Sequence, residues 1–144
     1  MPGFLRTHPV TLDRVAESRD RASGLPGRRL PDLGMFQHMR ERVRVLTTAG
    51  PAEALRHYEQ NAMPGEMLAA RAWRYGQMLA LMRAGRTEAA AEGLAALEHE
   101  ASDFLPYRVA RVELAMVNKQ PAAASAQARE LLKLYPENAA LMTL

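Results

Sequence analysis

Three breaks in the chain constrain its fold more than any other feature. Gly50-Pro51, Gly85-Arg86 and Gln120-Pro121 follow one another at intervals of 35 residues, and glycine and proline are the residues that most often punctuate helices. A fixed period of this length marks a stack of like supersecondary units, each too small to bury its apolar face alone. Between the breaks, apolar residues recur at helical spacing, and the second half is dominated by Ala and Leu, which lose little side-chain freedom in a helix. The chain therefore reads as all-α. Helices joined by such short turns must run antiparallel.

Three hairpins are predicted, over about residues 35–62, 65–101 and 105–136, with a further helix starting at 139–144. In the first, Met35 to Thr48 sets Phe36, Met39, Val43 and Leu46 at helical spacing, and Pro51 opens the next helix in its first turn. After each break a small residue precedes a second position one turn on: Ala54 and Tyr58, Ala90 and Leu94, and, more weakly, Ala124 and Ala128. That pattern lets helix axes approach. Met63, Met67, Met78 and Met82 suit an adaptable groove, although the spacing of Met78 and Met82 is met more simply by a core.

Residues 1–34 read differently. Pro2, Gly3, Pro9, Gly24, Pro26, Gly27, Pro31 and Gly34 leave room for one short helix between Val10 and Ala22, capped by Thr11, with Leu12, Val15 and Ala16 on one face. An extended linker follows. This end is basic: residues 1–44 hold nine Arg against five acids, whereas residues 45–144 hold ten basic against eleven acidic side chains. Because Asp13, Glu17, Asp20, Asp32 and Glu41 interrupt the arginines, a solvated mixed-charge face is expected, with no nucleic-acid partner. No run approaches the roughly 20 apolar residues of a membrane span. With no cysteine there is no disulfide framework and no thiolate metal site.

Trp73, Tyr75-Gly76, Gly85-Arg86, the alanines after each turn and Leu134-Tyr-Pro-Glu-Asn138 resemble tetratricopeptide (TPR) repeats, although Trp73 and Gly76 stand three apart where that family has four. The resemblance implies a short right-handed solenoid of helical hairpins that binds protein or peptide ligands in its concave groove. A narrower resemblance lies near the start. Phe4-Leu5-Arg6-Thr7-His8-Pro9, Arg14-Val15-Ala16 and Arg19 look like the segment joining protease to TPR array in bacterial periplasmic HExxH zinc metalloproteases of outer-membrane protein assembly. It implies a fragment whose zinc-bearing protease domain lies upstream, and a periplasmic location. The alternative is a free-standing TPR adaptor without a protease, cytoplasmic if the narrower resemblance fails.

The chain itself contains no HExxH, no nucleophile elbow and no phosphate loop. It is thus expected to be neither an enzyme nor a cofactor carrier. His8, His38, His57 and His99 are never one helical turn apart, so no two can face one ion from a single helix. His38 and His57 read as surface or cap histidines, and His99 as a helix-end cation. The resemblance would bring His8 near the missing protease site. Function is expected on the first helices of the hairpins, where Arg40, Arg44, Arg71, Arg74, Arg108 and Arg111 offer forks for carboxylates, a peptide C-terminus included. Ion pairing with nearby glutamates explains them equally well. Tyr75 and Tyr107 add possible peptide contacts or core residues, while Glu88, Glu92, Glu98 and Glu100 read as solvent-facing.

Overall fold

In the computed structural model the described residues are 12–24 and 34–138, with side chains from Arg14 onward. They are all-helical. The chain divides into two compact units, Met1–Pro31 and Asp32–Leu144. The first unit contributes α1 (Leu12–Ser23), in which Glu17 pairs with Arg21 one turn later and Ser23 Oγ donates to the Asp20 carbonyl at 2.7 Å. Of its expected apolar face, Val15 is half-buried and Ala16 exposed. The Thr11 cap and His8 lie outside the described residues.

The second unit carries α2 (Met35–Thr47), α3 (Pro51–Gln60), α4 (Met67–Arg83), α5 (Thr87–Glu100), α6 (Leu105–Val117) and α7 (Pro121–Leu134). These follow the apolar periodicity closely. The largest departure is the start of α4, where Glu66 caps the helix by accepting from Leu68 N–H at 2.9 Å and Ala69 N–H at 2.7 Å. Glutamate is not a usual cap, so the sequence pattern does not mark it.

Two turns are built alike. After α4, Gly85 N–H bonds to the Met82 carbonyl and Arg86 N–H to the Leu81 carbonyl, with Gly85 at φ 76°. After α6, Lys119 N–H bonds to Met116 and Gln120 N–H to Ala115, with Lys119 at φ 57°. Both are Schellman endings, which need a left-handed residue after the cap. The capping residues that open α3, α5 and α7 are Gly50, Arg86 and Gln120. The intervals are therefore 36 and then 34 residues. The even spacing read from the breaks matched a helix end, Gly85, with two helix starts. The first turn is built differently: the carbonyls of Val45 and Thr48 at the end of α2 accept from Arg83 Nη1, a cation over the negative end of a helix.

Helix α4 lies at the centre and packs against α2, α3, α5 and α6. One apolar cluster surrounds it, drawing Val45 from α2, Ala54 and Tyr58 from α3, Ala90, Leu94 and Leu97 from α5, and Tyr107, Ala110 and Leu114 from α6. The opposite side of α6 joins α7 in a second cluster of Val112, Ala115, Ala124 and Leu131. The small-residue positions Ala54, Ala90 and Ala124 are all buried. Met78 is buried and Met82 packs against the core, whereas Met63 and Met67 are exposed.

Helix α2 turns much of its apolar stripe outward. Phe36, Val43 and Leu46 are 71%, 57% and 61% exposed, while His38, Glu41 and Val45 are buried. The inward polar groups are fully engaged. Glu41 accepts from Arg40, from Arg44 Nε at 3.0 Å and from the Tyr58 hydroxyl at 3.0 Å. His38 Nδ1 lies 2.7 Å from the Gly34 carbonyl and Nε2 lies 2.9 Å from Tyr107 Oη. Since a carbonyl only accepts, Nδ1 carries the proton, and the neutral ring takes the Tyr107 hydroxyl at Nε2. A surface or cap role for His38 is thus ruled out by its burial among Tyr75, Phe104 and Tyr107. His57 is half-buried against Tyr58 and Trp73.

Candidate interaction surface

The arginines expected to receive a ligand are mostly occupied by glutamates of the chain. Arg40 and Arg44 flank Glu41. Arg71 Nε and both Nη atoms of Arg74 converge on Glu100, at 2.8, 2.6 and 3.0 Å. Arg111 pairs with Glu98. These contacts bring α4 and α6 to the end of α5, so Glu98 and Glu100 are bridging groups; Glu100 is exposed as expected, whereas Glu98 is half-buried. The Arg74 hydrogen bond, with help from Arg71, holds the Glu100 carboxyl below its ordinary range. The reciprocal bonds push Arg74 and Arg111 up. Glu88 and Glu92 are exposed as expected.

Arg108 differs in having no ion pair among the described residues. It opens with Ser102, Arg111, Gln127 and Glu130 onto a cleft of about 390 Å³ between α5, α6 and α7. Tyr75 is fully buried, its phenol raised by desolvation, and burial pushes Tyr107 up to about 12. Neither ring presents a free face to a peptide.

Helices α2 and α6 also meet directly, a connection with no local sequence signal because its partners are so far apart. Arg42 donates to both carboxylate oxygens of Glu113, with Nη1 to Oε2 at 3.1 Å, and Nη1 also reaches Tyr75 Oη at 3.3 Å. That fork, chiefly the Glu113 hydrogen bond, raises the Arg42 guanidinium above its ordinary range. Beside it Met35 and Met39 of α2 face Leu105 and Val109 of α6 across an apolar groove of about 150 Å³. The space suits one apolar side chain and is too small for an extended peptide.

No group of three or more His, Asp or Glu among the described residues is placed to hold a metal ion. No helix of the described residues is long and apolar enough to cross a membrane. No family model, curated protein or solved structure matches the chain. What distinguishes its surface is α2, whose outward face joins Phe36, Val43 and Leu46 to the Met35–Met39 side of the groove. The amphipathic spacing of these residues is legible in the sequence. Their exposure is not, because an apolar stripe ordinarily points inward.

Proposed function

We propose that this chain is a TPR-type docking module, a short right-handed solenoid of helical hairpins that holds a protein partner. In the fuller form of this reading it is the partner- or substrate-docking C-terminal part of a bacterial periplasmic HExxH zinc metalloprotease of outer-membrane protein quality control. Zinc and catalysis then belong to the protease domain. The observation that carries the docking role is the outward apolar face of α2, with Phe36, Val43 and Leu46 each more than half exposed on one helix. Large apolar side chains aligned on a single exposed face mark interaction surfaces. The repeat character is supported by the two like turns at Gly85 and Lys119. Attachment to a protease is supported by the Phe4-to-Pro9 and Arg14-to-Arg19 residues.

Photo-crosslinking from positions 36, 43 and 46 in the parent cells tests the docking role: a defined protein adduct is expected, and silence at all three positions would remove it. Attachment to a protease is tested by reading the coding sequence upstream of Met1. An in-frame HExxH is expected, and a stop codon there would leave the free-standing adaptor. In a full-length protease, His8→Ala is expected to alter zinc affinity or peptidase rate.

A further inference from the structure

The outward face of α2 has a period of its own. Phe36, Met39, Val43 and Leu46 are spaced by three, four and three residues, which are the a, d, a and d positions of two heptads; Phe36, Val43 and Leu46 are exposed and Met39 is half-buried. A surface helix that packs only on its own domain has no need of such a seam, and here the domain takes the opposite side, through His38, Glu41 and Val45. The two sides differ in kind. The inward side combines the hydrogen-bonded His38 and Glu41 with the core residue Val45, whereas the outward side is an apolar ridge from Phe36 to Leu46.

The borders of the ridge are unlike each other. At 100° per residue, Met35 and Met39 fall on the edge turned toward α6, where the groove of about 150 Å³ opens against Leu105 and Val109. Arg40 falls on the other edge, at the e position, with Arg44 behind it. Arg40 and Arg44 share the single carboxylate of Glu41. Two guanidiniums against one buried carboxylate leave this edge with a net positive charge, and the Arg40 side chain is 49% exposed.

From this juxtaposition we infer that α2 is one strand of a two-helix seam, and that its occupant is an amphipathic helix of a partner protein with acidic residues flanking its apolar stripe. The apolar stripe of that helix lies along Phe36, Met39, Val43 and Leu46. One of its side chains fills the α2–α6 groove, and its acidic flank meets Arg40 and Arg44. A second copy of α2 is a poor occupant, because its one acid, Glu41, is buried and already held by Arg40 and Arg44, so the copy brings no counter-charge to this edge. The inference rests on the docking reading above and adds the chemistry of the partner.

The test uses the whole chain and two labelled heptad peptides. Both have leucine at a and d; one carries glutamate and the other lysine at e and g. Fluorescence anisotropy is expected to show binding of the acidic peptide, weakened by added salt, and none of the basic one. Phe36→Ser with Leu46→Ser should weaken binding at least about tenfold. Arg40→Glu, which leaves the ridge intact, should weaken the acidic peptide by a similar factor and improve the basic one. Circular dichroism and Tm unchanged from the parent chain establish that each variant folds.

Equal binding of both peptides would overturn the charge assignment, and with it the proposed partner. So would binding to anionic phospholipid vesicles that Leu46→Ser abolishes in place of peptide binding. Self-association across a concentration series, lost in Leu46→Ser, would make the occupant a second copy and equally overturn it. If neither peptide binds while crosslinking from position 46 still captures a protein, the inference falls and the docking reading stands. If crosslinking is silent as well, both fall.

Discussion

Gly76 lies where α2, α3 and α4 come closest. A Cβ there would sit 2.2 Å from Tyr58 Oη, 2.7 Å from Cζ and 3.0 Å from Glu41 Cβ. The obstructing hydroxyl cannot simply swing aside, since it donates to the buried Glu41 carboxylate. Alanine is a better helix former than glycine by about 1 kcal/mol, yet overpacking of this kind costs more. Gly76→Ala is therefore expected to destabilise the chain by about 3 kcal/mol in urea unfolding. Lys119 presents the reverse case. It holds φ 57° at a position where the matching turn has Gly85. Lys119→Gly should stabilise by about 1 kcal/mol, visible as a raised Tm, and Gly85→Ala should destabilise by a similar amount. The glycine at 85 is legible as a helix stop from sequence, but the left-handed lysine is not, because its own chemistry argues against that conformation.

Among the elements, α2 shows how far periodicity reaches. Its extent is set by local propensity and spacing, and both are visible in the sequence. Its orientation depends on partners elsewhere: Tyr58 for Glu41, Tyr107 for His38, and Glu113 for Arg42. A buried polar group is stable when its hydrogen bonds are met and costly when they are not, and the sequence does not reveal which is the case. The Arg42–Glu113 fork, with side chains 24% and 18% exposed, is expected to give a coupling of about 1 kcal/mol in a double-mutant cycle. The Arg21–Glu17 pair of α1, 75% and 62% exposed, should give almost none. The predicted ligand arginines illustrate the same limit. They lie on α2, α4 and α6; Arg40 and Arg44 meet Glu41 within their own helix and Arg108 has no ion pair among the described residues, but the direction of Arg71 and Arg74 toward Glu100 and of Arg111 toward Glu98 appears only once α5 is in place.

For the molecule as a whole, His38 links α2 to α6 through Tyr107. Burial, opposed by the Gly34 hydrogen bond and assisted by the Arg71 charge, lowers its pKa below the ordinary 6.5. The unfolded chain therefore binds a proton at a pH where the folded chain does not. Above 6.5 both forms are neutral and nothing is lost; as pH falls from 6.5 toward the depressed native value, stability declines, and below that value the loss is complete. Urea midpoints should fall between about pH 7.5 and 5.5, and His38→Gln should flatten that dependence.

The sequence by itself determined the all-helical class of the described residues, the extents of α1 to α7 to within two residues and the turns between α2 and α7, while the further helix expected at 139–144 lies outside the described residues. Helices and turns are closed by hydrogen bonds between residues three to five apart, so their causes lie within a short window of chain. Only the tertiary structure decided which side of α2 faces in, which arginines are occupied and which apolar surface is left open. Those outcomes depend on contacts between residues as far apart as Arg42 and Glu113, where a polar group is buried or exposed according to whether a distant partner satisfies it.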